Sequence, residues 1–175
     1  MNRVLFVMPF LKMGGAEKQH IYMINELNES YKDLDITVML FNDQEISKEY
    51  IEVNKIISIP NTLWISNKYF KTLIRFINYI YLFFYIFFKV PTFDTIYLYS
   101  KVFIPLIPIF KVKSKRVIFS LREADDKVTR FPYYHILKQC THITCNSLVT
   151  YNLMHKKGMD IKLINNAIQN KLLEN

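Results

Sequence analysis

The stretch "VLFVMPFLKMGGAEKQ", residues 4 to 19, joins an apolar run to a glycine pair and then to a helical pattern. Val4 to Met8 is continuously apolar and partly β-branched, which is typical of a strand buried on both faces. From Ala16 to about Tyr31, apolar residues such as Ile21 and Ile24 recur at helical spacing. The stretch therefore predicts a strand, a glycine turn and a helix in direct succession.

The same alternation continues along the chain. Further strands are predicted at 35–41, 55–59, 93–100, 116–121, 142–146 and 161–165, and helices at 133–139 and 147–157, the latter with Ser147 as its N-cap and Gly158 as its stop. Strands alternating with helices at this spacing imply a doubly wound sheet with helices on both faces. We predict one α/β domain over residues 1–175, a Rossmann-like three-layer αβα domain with a mostly parallel sheet.

Composition and charge indicate the compartment and the kind of surface at which the protein works. The chain has 175 residues, of which 51% are hydrophobic, enough for a sizeable core. Pro9 and the glycines interrupt the opening apolar run, and no signal-peptide cleavage site follows it. The two cysteines are too few for a disulfide framework. We therefore expect a cytoplasmic location. The net charge is +8, and its densest cluster is "KVKSKR", residues 111–116. This cluster lies near the most apolar stretch, which favours a membrane surface.

Two of the three glycines in the chain are adjacent, at positions 14 and 15. At the start of a helix they would let an anion approach main-chain N–H groups at the positive end of the helix dipole. A tight turn that needs glycine for geometry alone explains them equally well. The spacing is neither G-x-G-x-x-G nor a Walker A loop, so it supports neither dinucleotide binding nor nucleoside triphosphate hydrolysis.

"RVLFVMPFLKMGGAEKQ" resembles the amino terminus of family 4 glycosyltransferases of the GT-B fold. "FDTIYLYS", "VIFSLREADD" and "ITCNSLVTYNLMHKKGMDIKLINNAI" are similar to later segments of that family, in the same order. In the family the first domain holds the acceptor, the second binds the nucleotide sugar, and transfer retains the anomeric configuration, usually without a metal. The resemblance implies half of a GT-B glycosyltransferase, the N-terminal acceptor-binding domain.

The resemblance also implies substrate-binding residues, although it identifies no catalytic residue. The glycines would approach the donor diphosphate or the transferring sugar, and a guanidinium in the loop after the fifth strand would suit phosphate or sugar hydroxyls. The implied residues are Gly14, Gly15, Glu17, Lys18, Arg122, Asn146 and Asn166. The family's two donor-binding glutamates, spaced eight apart, have no counterpart before Asn175. We therefore expect the donor-binding domain to be absent, or supplied by a separate partner, and the chain alone to be inactive.

An acidic cluster and a histidine are further candidate site residues. Glu123, Asp125 and Asp126 follow a predicted strand, where they are either acceptor-binding or acid/base groups or a solvated loop. His20 lies on the first helix and faces either the core or the cleft. No histidine is identified as catalytic.

Cys140, His142 and Cys145 form a C-x-H-x-x-C pattern that suggests zinc. In a strand, however, His142 and Cys145 point to opposite faces, and no fourth ligand lies nearby. Neither a metal nor another cofactor is expected.

Residues 73–89, "LIRFINYIYLFFYIFFK", are apolar nearly all round the predicted helix. A spanning helix needs about 20 predominantly apolar residues, and Arg75 and Asn78 interrupt this one, so we expect it not to cross a bilayer. One sheet cannot bury every face of such a helix. Its aromatic side, bracketed by cations, suits the lipid headgroup boundary, with a protein partner as the alternative.

These features predict the acceptor-side domain of an enzyme that transfers sugar from a nucleotide sugar to a polysaccharide or lipid-linked acceptor. It would work in cell-surface glycan synthesis, peripherally, on the cytoplasmic face of the membrane. The alternative is a non-catalytic or split-enzyme partner subunit that docks a donor-binding protein or a membrane. Nucleic-acid binding is disfavoured because no helix-turn-helix, RNP or zinc motif accompanies the positive charge.

Overall fold

The computed structural model describes residues 2–9, 15–41, 53, 55–59, 71–121, 128 and 130–164. The strands are β1 (Asn2–Met8), β2 (Leu34–Leu40), β3 (Lys55–Ser58), β4 (Phe93–Leu98), β5 (Ser114–Leu121), β6 (His142–Cys145) and β7 (Lys162–Leu163). The α-helices are α1 (Gly15–Ser30), α2 (Lys71–Lys89), α3 (Ile107–Val112), α4 (Tyr133–Leu137) and α5 (Leu148–Lys156), and a 3-10 helix covers Lys101–Leu106. Every strand predicted from the sequence is present, with ends that differ by up to two residues.

The described strands form one seven-stranded sheet in the order β3-β2-β1-β4-β5-β6-β7, and all their pairings are parallel. From β1 the chain builds outward through β2 to β3, and it then returns to the other side of β1 to add β4 to β7. The strand order therefore reverses between β1 and β4, where Val7 pairs with Leu98. This confirms the predicted α/β, Rossmann-like fold.

Helices cover both faces of the sheet, so that β1 is buried from two sides. Leu5 and Val7 belong to a core that also contains Leu82 of α2. Their neighbours Phe6 and Met8 point the other way, into a second core with residues of α1. Burial on both faces is why this strand is a continuous apolar run rather than an alternating one.

The two ends of α5 differ in how well they were predicted. Ser147 occupies the N-cap position with extended backbone angles, but its side chain makes no capping hydrogen bond. Gly158 ends the helix as expected, with φ of 72°. The Gly158 N–H donates to the His155 carbonyl at 2.9 Å and the Met159 N–H to the Met154 carbonyl at 3.2 Å, which together form a Schellman motif.

Helix α2 runs as a single element through the apolar stretch, and the Tyr79 hydroxyl donates a hydrogen bond to the Val102 carbonyl at 3.0 Å. Asn78 is buried, with 9% of its surface exposed. Within the described part of the chain, no helix is both long and apolar enough to cross a membrane.

Candidate functional site at the carboxyl rim of the sheet

The carboxyl ends of the central strands meet along one edge, which we call the rim. Val7 of β1 is level with Leu98 of β4, Leu98 with Phe119 of β5, and Leu121 of β5 with Cys145 of β6. Because these strands are parallel, the segments that leave them emerge side by side. In open α/β sheets, ligands bind at this edge, where the strand order reverses.

Helix α1 begins at the rim. Its first residue is Gly15, and Ile21 and Ile24 anchor it to the sheet with exposed fractions of 5% and 0%. The N–H groups of the first helical turn have no partner within a helix and carry the positive end of its dipole. Lys18 in this turn exposes its side chain to solvent. The start of α1 thus offers positive charge beside the reversal point.

His20 lies on the buried side of this helix and faces the core, which settles the alternative left open by the sequence. It is fully buried, and its ring stacks on Tyr99 with centroids 3.9 Å apart and planes 28° from parallel. Tyr97 approaches the same ring at 5.9 Å. The contacts hold the beginning of α1 against the end of β4.

Sequence reasoning missed this aromatic contact because His20 and Tyr99 are far apart in the chain. Tyr97 and Tyr99 are two residues apart and so lie on one side of their strand. That spacing was the available signal for an aromatic layer beneath the rim.

Polar groups also line the rim at β6. Asn146 follows the strand directly and is partly buried. Thr150, in the first turn of α5, is 1% exposed, and its hydroxyl has no hydrogen-bond partner among the described residues. The Cys145 thiol donates to the Ser147 carbonyl at 3.6 Å. Burial raises the pKa of Cys145, so the thiol stays protonated and is not a nucleophile at neutral pH.

The structure brings some of the predicted site residues to one edge without bringing them into contact. Gly15 and Lys18 lie beside β1, whereas Asn146 follows β6, with β4 and β5 between them. Three strand spacings correspond to roughly 14 Å. Gly14, Arg122, Asn166, the acidic residues 123–126 and the side chain of Glu17 lie outside the described residues, so their roles stay predictions.

The cysteine and histidine residues near β6 do not come together as a metal site. His142 is exposed and Cys145 is buried, as the alternation of a strand requires. The residues that the structure describes contain no group of three or more His, Cys, Asp or Glu able to hold a metal ion. Burial raises the pKa of Cys140 to about 12.

A cavity of about 310 Å³ lies at the opposite edge of the sheet, before β6 and β7. Its lining includes Lys138, Cys140, Thr141, Gly158 and Asp160. The same edge carries Asp94, which accepts hydrogen bonds from the Lys115 ammonium at 2.7 Å and the Arg3 N–H at 3.0 Å. These contacts tie the beginnings of β1, β4 and β5 together, away from the rim.

No protein-family model and no curated protein sequence matches the chain. Two solved structures are similar to it in fold. The lipopolysaccharide outer core galactosyltransferase WaaB, in its apo form, has a TM-score of 0.63 at 13% identity, with 97% of this chain and 46% of that chain covered. A UDP-N-acetylglucosamine 2-epimerase has a TM-score of 0.62 at 13% identity, with 94% and 48% covered. The chain therefore spans about half the length of either protein, and its fold is that of a Rossmann-like half of a GT-B structure.

Proposed function

We propose that the chain is the N-terminal, acceptor-side domain of a family 4 glycosyltransferase that takes sugar from a nucleotide sugar. The observation that carries the proposal is the position of α1, which begins with Gly15 at the rim beside the reversal of strand order. Such a corner presents main-chain amides and a helix dipole to an anionic group. The similarity in fold to WaaB, a galactosyltransferase, supports the same chemistry.

The complete reaction is proposed to retain the anomeric configuration and to need no metal. The acceptor is a glycan or a lipid-linked sugar of cell-surface glycan synthesis, and the protein works peripherally at the cytoplasmic face of the membrane. Transfer requires a donor-binding domain, which a continuation of the polypeptide or a separate protein would supply. Gly14, Gly15, Glu17, Lys18, Arg122, Asn146 and Asn166 are the proposed substrate contacts.

A titration of the isotopically labelled chain with a water-soluble, short-chain prenyl-diphosphate sugar tests the acceptor role. Amide signals of Gly15, Lys18 and Asn146 should shift, because these residues lie along the rim. Lys18→Ala should weaken binding, since its ammonium is exposed beside the first turn of α1. Lys32→Ala is the matched control, because Lys32 is an exposed lysine just beyond the other end of the helix.

Nucleoside diphosphates should produce weak shifts or none, since we propose that a separate domain binds the donor. Shifts confined to the cavity beside Cys140, or an equal effect of the two lysine substitutions, would contradict an acceptor site at the rim. A non-catalytic subunit that recruits a donor-binding protein is the second candidate, and the exposed apolar side of α2 favours it. It predicts no shifts at the rim and a stable complex with that protein.

A further inference from the structure

Helix α2 carries large apolar side chains on the side that points away from the core. Its contact with the sheet needs only a narrow stripe, in which Leu82 and Ile86 are fully buried. The opposite side exposes a second apolar set that we call the aromatic face. It consists of Phe76, Ile77, Ile80, Phe84, Phe87 and Phe88, each between 42% and 70% exposed.

The rings of the aromatic face pack on one another along the surface instead of entering the core. Phe84 and Phe88 stack with centroids 6.2 Å apart, and Phe87 meets Phe88 edge-on at 5.0 Å. Monomeric soluble proteins rarely expose contiguous apolar patches of this kind without a binding role. The face therefore indicates a surface that something else covers.

The segment of sequence that contains α2 is strongly basic. Residues 53–122 contain eleven lysines and arginines against one acidic residue, Asp94, a net charge of +10. The rest of the chain has twelve basic and fourteen acidic residues, a net charge of −2. The excess positive charge of the protein therefore belongs to the segment that contains α2.

One described lysine of this segment reaches the aromatic face directly. The Lys113 ammonium lies 5.4 Å from the centroid of the Phe87 ring. Lys89, the last residue of α2, and Lys111, in the last turn of α3, are exposed. Lys115 already pairs with Asp94, the acidic residue of the segment. Lys89 and Lys111 can meet an external negative charge.

The charge decides between the partners that an apolar face could take. Two copies of this chain docked face to face would bring like-charged lysines beside the face, such as Lys89 and Lys113 of each copy, into one interface, which like-charge repulsion disfavours. An anionic phospholipid surface supplies the opposite charge and accepts aromatic side chains at the level of its headgroups. The composition of the face therefore fits a lipid surface better than a second copy.

We propose that the aromatic face of α2 and the lysines beside it dock the protein on an anionic phospholipid bilayer, with the helix lying in the plane of the headgroups. The purpose of this docking, the capture of a lipid-linked acceptor, rests on the proposed function. The evidence for the docking does not. Because α2 is followed by β4, its final turn lies at the amino edge of the sheet and its first turn points toward the rim. A helix lying flat on the bilayer would run past both edges of the sheet, so that the rim stays near the bilayer together with the amino edge.

Cosedimentation of the full chain with vesicles tests the docking. Vesicles of phosphatidylcholine mixed with phosphatidylglycerol should bind the protein at low salt, and phosphatidylcholine alone should bind it far less. Binding should weaken in about 1 M salt, where the Debye length is about 3 Å. Phe84→Ser/Phe88→Ser should weaken binding by at least about tenfold, and Lys113→Gln by about fivefold.

Matched substitutions outside the aromatic face distinguish docking through that face from non-specific adsorption to vesicles. Phe131 is 83% exposed and lies outside the segment, so Phe131→Ser should leave binding unchanged. Lys138 lies 4.6 Å from the Tyr134 ring centroid, much as Lys113 lies over Phe87, so Lys138→Gln is the control for the cation. Circular dichroism of each variant reports whether it folds.

Several results would overturn the proposal. One is a failure to bind anionic vesicles, and another is equal binding to anionic and neutral vesicles. A third is an equal loss of binding from a substitution in the face and from its control, Phe131→Ser or Lys138→Gln. A concentration-dependent dimer that Phe84→Ser/Phe88→Ser abolishes, without vesicle binding, would assign the face to a second copy. Vesicle binding needs no sugar ligand, whereas the prenyl-diphosphate titration needs no bilayer, so the failure of one proposal is distinguishable from the failure of the other.

Discussion

Replacing His20 by alanine tests the packing that fixes α1 to the rim. The ring is fully buried and stacks on Tyr99 at 3.9 Å, so the substitution removes an aromatic pair and leaves a cavity. An aromatic pair contributes about 1 kcal/mol beyond the area it buries. Truncating a buried side chain of this size costs about 2 kcal/mol more. We expect the free energy of unfolding to fall by about 3 kcal/mol.

The measurement is thermal or urea unfolding followed by circular dichroism. For a chain of this length, a loss of about 3 kcal/mol corresponds to a fall in Tm of roughly 6 to 12 °C. Tyr22→Ala is the control, because Tyr22 is on the same helix but 46% exposed, and it should change stability by less than about 0.5 kcal/mol. Equal effects of the two substitutions would refute the reasoning, because burial and stacking would then not determine the cost.

Three further outcomes follow from single groups. The hydrogen bond from Lys115 holds the pKa of Asp94 below its ordinary value of 3.8. The ionised carboxylate therefore stabilises the fold above that pH, and this stabilisation is lost as pH falls through the lower pKa of the folded protein. Asp94→Asn should destabilise the protein at pH 7, and the difference in urea midpoint between variant and wild type should shrink below about pH 4. Gly158→Ala should cost about 1 kcal/mol in urea unfolding because φ is +72° while a Cβ would meet nothing within 4 Å, and Gly158→Asn should cost less. With its pKa raised to about 12, Cys140 should react with iodoacetamide at pH 8 far more slowly in the native protein than in urea, as mass spectrometry would show.

Local patterns predicted most of the fold because the strands are short, apolar and separated by helical spacing. Val4 to Met8 could be assigned because burial on both faces requires apolar residues at every position. The segment between β4 and β5 was not assigned to a helix. Residues 101–112 are apolar almost throughout and contain Pro105 and Pro108, so no helical period distinguishes a buried side from an exposed one.

The candidate site was predictable only where a local motif marked it. The glycine pair indicated the corner before α1, and that helix does begin at Gly15. The contact of His20 with Tyr99 depends on strand order, which places the first helix beside the end of β4. No periodicity in either segment contains that information, because the two rings meet only when the sheet has formed.

The aromatic face shows what the structure adds to an apolar pattern. From the sequence, α2 is apolar nearly all round, and such a helix is ambiguous between a fully buried element and an exposed docking surface. The structure resolves the ambiguity because Leu82 and Ile86 are buried while Phe84 and Phe88 are 53% and 70% exposed. Folding of this domain gains little from the exposed rings, so their presence reflects what surrounds the folded protein. The positive charge of residues 53–122 extends the same inference, since a basic segment favours negatively charged surroundings.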